Sequence, residues 1–501
     1  MRFNKKMYLI VFITIPYLNN SCFCQITDSV LSRHSVSLDE AHIGSLEIDT
    51  MLLNSYEIMP LNINQFYLDA RGVFEKNKVD FTSKQIVEAA VNNDISLMGG
   101  PMLGDIKQNG ISIWFRPLNK MPIRIKVTAV NSGKEKNYTL KPIAAGREQR
   151  IILNDLSSST KYKYVVTSQD FKLAEGAFQT TPRMDEENQI RIVFGSDFHK
   201  IGLHNPNLVN AILRREPTAM MLLGDIAVDD RENNFNMHRS DYLLRDISPP
   251  WKKLSANVPL FSSWDDHDYL NNDLSGVPTG FTIKEIEELR TIWRENWNNP
   301  QNKAEGIYFN TRIGKLELIM LDTRSCRNME ERGQYSSYLG TKQLEWLKSI
   351  LENSTATFKV ISSGTMWSDY ISEGKDSWGT WDTLAREEIF NLIETEKIPG
   401  VLLISGDRHG ARGFTITRPS GFKLYEFEAA SLGGVPGPPS MAKDTTNQLF
   451  GYQGKGLKAF GEFTFDMKES KPQVTFRLID EFGNILEEYR LSYEKLTPLK
   501  Q

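Results

Sequence analysis

Cysteine is nearly absent from this chain of 501 residues: there are three, and two of them, Cys22 and Cys24, stand among the first 24 positions. The third, Cys326, has at most Cys24 as a partner, so no disulfide framework exists and the core has to carry stability unaided. Histidine is also sparse, with seven residues at positions 34, 42, 199, 204, 238, 267 and 409, so each can be weighed singly. An excess of one charge is missing. Lysine and arginine number 59 against 63 acidic residues, a net charge of −4 that becomes more acidic if Arg2, Lys5 and Lys6 are removed. That balance excludes nucleic acid as the main partner. Neither a Gly-x-Ser-x-Gly elbow nor a P-loop occurs, which removes serine acyl transfer and nucleotide-driven switching. Repeats and low-complexity tracts are lacking too.

Long apolar runs are missing with one exception. Positions 7–18 are apolar but too short to span a bilayer, and with Arg2, Lys5 and Lys6 ahead of them they read as an export signal over residues 1–24. Cleavage after Cys24 leaves Gln25 first; alternatively "NNSC" serves as a lipoprotein signal with a lipid anchor at Cys22. The expected location is periplasmic or extracellular, or membrane-tethered, with no transmembrane segment. The body of the chain, 40% hydrophobic and 24% charged, has the composition of a soluble globular protein. Residues 25–95 form an extension of unassigned role, with a helix expected over "TSKQIVEAAVNN" and Thr82 as its cap. Residues 96–182 carry short alternating runs such as "ISIWFRP", "IRIKVTAV" and "KYKYVVTSQ" broken by Gly, Asn and Ser; they resemble a fibronectin-like β-sandwich. From 183 to 495 apolar strands alternate with helical patterns, the mark of a layered α/β architecture.

Each of those apolar strands ends in chemically capable residues. The stretch "SSWDDHDYLNND" crowds Asp265, Asp266, Asp268 and Asp273 around His267, and such carboxylates disfavour one another's ionisation unless a cation offsets them. Asp197 with His199, Asp225, Asp322 with Arg324, and Asp407 with His409 close other strands. A lone Asp after a strand is ordinarily a turn or cap residue. Several in succession are different, because the carboxyl ends of strands in an α/β sheet line one crevice.

In order, D-x-H (Asp197, His199), G-D (Gly224, Asp225), D-H-D (Asp266 to Asp268) and G-D-x-H (Gly406, Asp407, His409) match the signature of the calcineurin-like metallophosphoesterases. "WDDHD" and "SGDRH", with "LDTR", "LGTKQLEWL" and "DSWGTWD", resemble its alkaline phosphatase D branch over about residues 101–493. The resemblance implies two central β-sheets flanked by helices, behind a small β-sandwich. It also implies two divalent or trivalent metal ions holding a hydroxide that attacks the phosphorus of a small-molecule phosphate ester. Two positions depart from the branch, which commonly has Cys where Asp197 stands and Tyr where Val228 stands, both iron ligands there.

The first metal site would then comprise Asp197, His199, Asp225 and His409, a donor set suited to Zn, Mn or Fe. The second would take Asp225 as bridge with Asp266 and Asp407; all oxygen, it favours Ca²⁺, Mg²⁺ or Mn²⁺. His267 is a ligand, a structural histidine, or the proton donor that matching relatives place there. Arg324 and Arg408 are candidates to clamp phosphate oxygens, with structural ion pairing as the alternative for each. Asp265, Asp268 and Asp273 are expected to support these groups, and His204 to lie in a solvated loop. His34 and His42 have no carboxylate constellation beside them, and "GGVPGPP" reads as a rigid loop. A phosphodiesterase is the alternative within the enzyme class; a surface binding protein with a structural metal is the alternative outside it.

Overall fold

The computed structural model describes residues 36–499 apart from 56–58, 119–121, 142–143, 170, 229, 302–304, 373, 375 and 469–470. The expected export signal, Cys22, Cys24 and His34 lie outside the described residues.

Two large sheets face each other. A six-stranded sheet runs, in spatial order, through Leu260–Ser262, Ala219–Leu222, Gln189–Gly195, Ala459–Asp466, Gln473–Asp480 and Ile485–Ser492. Its first three strands are parallel and the rest antiparallel. A seven-stranded sheet has the order Phe309–Ile313, Leu316–Met320, Phe358–Ser362, Val401–Ser405, Lys423–Ala430, Gly410–Thr417 and Gln448–Gln453.

Strand side chains alternate between faces, and here both faces are apolar. Ile192, Phe194, Leu318, Met320, Val360, Leu402 and Ile404 point into the core between the sheets with Phe427, Phe463 and Phe476. Their neighbours Val193, Met220 and Leu222 point outward against Leu208, Ile212 and Leu254 of helices. On the other sheet Ile319, Ile361 and Leu403 meet Leu344, Leu347, Ile389 and Phe390 from the helices Gly340–Asn353 and Trp378–Thr395. The expected layered architecture is therefore present.

Ahead of it stand a three-stranded sheet (Leu97–Lys107, Gly110–Pro117, Gln149–Leu153) and a four-stranded sheet in the order Glu135–Leu140, Ile123–Ala129, Lys161–Ser168, Phe171–Gln179. The runs read as strands from sequence are strands, and their inward residues join the core of the large sheets.

The extension folds into four helices, Leu38–Ile43, Leu46–Asn54, Leu61–Lys76 and Lys84–Asn92. The first has a capping box, in which Ser37 and Glu40 satisfy each other's backbone nitrogens, and it ends at Gly44 in the left-handed conformation (φ 63°). Ser45 caps the second. The helix expected over "TSKQIVEAAVNN" is present, but Thr82 does not cap it. It starts after Ser83, and Thr82 instead donates its N–H and hydroxyl to Asp80. Apolar residues of the extension, among them Phe66, Tyr67 and Phe74, pack on Leu243, Leu244 and Ile247 of the helix His238–Ile247, within the α/β body.

Candidate metal centre

The parallel strands deliver their carboxyl ends to one place. Asp197 and His199 follow Gln189–Gly195, Asp225 follows Ala219–Leu222, and Asp407 and His409 follow Val401–Ser405. Their donor atoms come together: one from each of Asp197, His199, Asp225 and His409 all lie within 4.8 Å of one another. His409 Nε2 is 3.1 Å from Asp197 Oδ1, and its Nδ1 donates to the carbonyl of Pro436 at 2.6 Å. That outer bond fixes the ring's orientation, the common arrangement behind a metal-ligating histidine. The Pro-rich loop is thus a brace: the carbonyls of Pro438 and Pro439 also accept from Arg412, which pairs with buried Glu428.

Backbone conformation sets these donors apart. Asp197, His199, Asp225, Asp407 and His409 all have left-handed φ, at 61°, 48°, 52°, 73° and 31°. Non-glycine residues take this region at a cost, and such outliers gather at functional sites. Gly224 beside Asp225 is glycine for a plain reason: its φ is 113°, and a Cβ there would collide with the backbone nitrogen of Asp265.

The electrostatics ask for a cation. Burial, then the like charges of Asp266, Asp265, Asp197 and Asp268, push the Asp225 carboxyl well above the ordinary range. Its Oδ1 is buried and accepts no hydrogen bond. Burial also opposes charge on His409, yet the Asp197 carboxylate outweighs it and raises the imidazole. Two carboxylates and two imidazoles around an unsatisfied oxygen fit a divalent ion.

A second group, Asp265, Asp266 and Asp407, adjoins the first. No donor group among the described residues unites Asp225, Asp266 and Asp407; Asp225 and Asp266 instead share one with His267. The carboxylate group contains a guanidinium. Arg324, fully buried, reaches Asp265, Asp407 (3.0 Å), Asp376 (2.8 Å) and Asp266 (3.8 Å), and Arg327 adds a contact to Asp376 at 3.1 Å. Burial would raise Asp266, but Arg324 and His267 hold it below the usual carboxylate range. Burial wins at Asp265, which Arg324 leaves pushed up to about 7. Arg324, considered from sequence as a phosphate clamp, has its nitrogens occupied by carboxylates. Arg408 is half-buried, with Nη2 3.4 Å from the carbonyl of Ile371.

The remaining acid of "WDDHD", Asp268, is a brace. Asp268 accepts the backbone N–H groups of Asp225, Ile226 and Asp265. The N–H of Asp273 donates to Asp266 Oδ2 at 2.7 Å. Asp322 accepts from Trp264 Nε1 (2.8 Å) and Ser325, and belongs to no donor group among the described residues. His204 is half-buried and belongs to none either. Val228 is buried among apolar side chains.

His267 sits on the short helix Asp266–Tyr269, with Nδ1 2.6 Å from Asp230 Oδ1, the carboxylate accepting. Its ring stacks on that of His42, centroids 4.2 Å apart at 29°. His42 Nδ1 also lies 3.5 Å from Asp230 Oδ2. The expectation that His42 lacks a carboxylate constellation is therefore wrong: the constellation is 188 residues downstream in sequence and forms only when the extension docks. Asp230 was missed as well, since it closes no strand and matches no motif.

A model of the PhoD-like phosphatase family matches residues 224–486, more than half of the chain. The chain belongs to the PhoD-like phosphatase family. Alkaline phosphatase D of Bacillus subtilis (strain 168) is 25% identical over 218 residues, which are 37% of this chain and 36% of that protein. The chain thus spans little over a third of that curated relative's length. Among solved structures, PhoD aligns with a TM-score of 0.61 at 16% identity, over 78% of this chain and 92% of that one. A purple acid phosphatase from yellow lupin seeds aligns at 0.57 and 13%, over 79% and 75%. At such identities the two structures speak for the fold alone, and both share it with this PhoD-like chain. Among the described residues no helix is long and apolar enough to cross a membrane.

Proposed function

We propose that this chain is an exported, metal-dependent phosphatase that hydrolyses small-molecule phosphate esters with two cations. Asp197, His199, Asp225 and His409 would hold a Zn-, Mn- or Fe-type ion; Asp225, Asp266 and Asp407 would give oxygens to a Ca-, Mg- or Mn-type ion. The observation that carries the reading is Asp225: a buried carboxylate oxygen without a hydrogen bond, raised by burial and four neighbouring carboxylates, with donor atoms grouped with Asp197, His199 and His409 on one side and with Asp266 and His267 on the other. The basic residues and apolar run at the start of the sequence support export.

When bound, two such ions supply an activated oxygen nucleophile at neutral pH and stabilise charge on the phosphoryl group. The protein's own groups do the rest. Asp268 holds the Asp225 loop through its backbone, and Pro436 holds His409. Arg324 keeps Asp265, Asp266 and Asp407 gathered, which leaves Arg408 as the arginine for phosphate oxygens. His267, oriented by Asp230, is the group for protonating the leaving oxygen; its ring nitrogen lies within 4.8 Å of carboxylate oxygens of Asp225 and Asp266, beside the reacting centre.

Elemental analysis of the purified protein, with turnover of phosphomonoesters and phosphodiesters in the same preparation, tests the reading. Two equivalents of metal and preferential monoester hydrolysis are expected. Metal-replete protein that turns over neither class would sink it, and preference for diesters would move it to the phosphodiesterase alternative.

A further inference from the structure

The extension brings a residue to the site that no motif contains. His42 lies in the last turn of the capped helix Leu38–Ile43, and its ring covers one face of the His267 ring. Its centroid is 5.8 Å from that of His199. With Asp230, the two histidines form a trio whose donor atoms are within 4.8 Å of one another. That distance alone would suit a third ion, but the ring geometry does not. Ligand lone pairs of imidazole lie in the ring plane. Rings stacked at 4.2 Å and 29° have nearly parallel, separated planes, so no single ion can sit on both axes. The trio is instead a clamp on His267: Asp230 fixes the ring's rotation within its plane, and His42 fixes the tilt of the plane.

The clamp is built into the extension's docking. Residues 230–233 have four successive left-handed φ values, 37°, 53°, 53° and 64°, a strained run that persists only where its surroundings enforce it. The enforcement comes from the extension. Arg231, next to Asp230, donates to the carbonyl of Gly44 and pairs with Asp49 at 2.9 Å, and it pairs with Asp241 of the α/β body. Arg71 donates to the same carbonyl (3.0 Å) and pairs with Asp49 at 2.6 Å. Gly44 is two residues after His42, so one buried ion network fixes both jaws of the clamp.

We propose that segment 37–54 is a positioning element of the phosphatase site and that His42 is its acting residue, holding the His267 ring in the attitude from which it serves the leaving group. The inference rests on the phosphatase reading above. His42 then matters where the leaving oxygen needs His267, and little where it does not. It acts through His267 and is not a ligand to a metal.

The test uses the full, metal-saturated chain and compares wild type with His42→Ala, His42→Phe and His42→Gln on glycerol phosphate, a poor leaving group, and nitrophenyl phosphate, a good one. A misplaced catalytic group can cost on the order of 10²-fold. His42→Ala should therefore lose between about 10- and 100-fold in kcat on glycerol phosphate, with KM within about twofold and nitrophenyl phosphate nearly unaffected. His42→Phe, which keeps a flat ring against His267, should recover most of that loss, while His42→Gln should not. Bound metal should be the same in all. Equal losses on the two esters, no loss on either, phenylalanine no better than glutamine, or missing metal would each overturn the proposal. If the alanine variant does not fold, the phenylalanine and glutamine pair carries the same contrast. Should wild type turn over neither ester, the phosphatase reading falls and this inference with it; should it turn over both and every variant match it, the inference alone falls.

Discussion

Two acidic clusters lie side by side at the strand ends, and they solve the same electrostatic problem differently. Among the described residues no arginine ranks among the leading influences on Asp197 or Asp225, and the Asp225 carboxyl is driven far up by burial and its neighbours. Around Asp265, Asp266 and Asp407 it places Arg324, whose guanidinium reaches all three and Asp376 besides. The first cluster leaves neutralisation to an ion from outside. The second carries part of its neutralisation within, so an ion there would compete with a guanidinium for the same oxygens. The contrast shows that crowded buried carboxylates can be offset by imidazoles with room for an ion, or by a guanidinium that the chain carries itself.

The largest effect should come from Asp225, proposed above to give oxygens to both ions. Asp225→Asn should lower activity by more than the roughly 10- to 100-fold typical of changes to outer-shell partners, and reduce metal content at both clusters, measured by kinetics and elemental analysis together. Loss from one cluster only would break the symmetry on which the comparison depends. Next, graded chelation with EDTA should strip the Arg324-containing cluster first and abolish turnover while one equivalent of metal remains. Ca²⁺, Mg²⁺ or Mn²⁺ should then restore it better than Zn²⁺. Recovery with Zn²⁺ alone would reverse the assignment of ion types.

Arg324→Met sharpens the contrast from the other side, because it turns the second cluster into one that lacks its own cation. Breaking a buried ion pair costs about 3–5 kcal/mol, so the melting temperature should drop, and added Ca²⁺ should raise it more in the variant than in wild type. An unchanged melting temperature would mean that the guanidinium contributes no neutralisation.

The smallest effect concerns the opposite sign of charge. At the seam of the extension, burial, then Arg231, Arg239 and Lys200, hold the His238 imidazole down at about 3 against an ordinary 6.5. A depressed histidine is neutral in the folded chain and takes a proton on unfolding. Its contribution to stability is therefore full above about 6.5 and is lost as the pH falls towards about 3. His238→Gln should flatten that acid limb in a plot of melting temperature against pH; an unaltered limb would show that the seam does not hold the ring neutral.

Much of this was legible in the sequence, for a physical reason. Strand alternation is a local property, so the β-sandwich runs and the apolar strands of the α/β body could be read from residue order. Motifs at strand ends converge because parallel strands share a direction, which is how Asp197, His199, Asp225 and His409 could be grouped in advance. Docking is not local. His42 and Asp230 look like an isolated histidine and a loop acid until the extension folds onto the helix His238–Ile247. The capping box of Ser37 and Glu40 announces a helix there, but nothing in it says what that helix covers. Thr82 failed as a cap because Asp80, two residues earlier, takes its N–H and hydroxyl. Arg324 was harder still, since an arginine after a strand looks the same whether it faces substrate or four carboxylates.

The left-handed backbone at Asp197, His199, Asp225, Asp407 and His409 has a consequence for the life of the protein outside a test tube. A disordered chain would seldom visit those angles at five separated positions together, so the donor set exists only once the sheets are assembled. Cations held by these residues would bind the folded chain and scarcely the unfolded one, and would add to stability in step with the logarithm of their free concentration. If the chain is exported as proposed, it would meet such ions only after crossing a membrane, and the mineral content of the surroundings would then decide when maturation is complete.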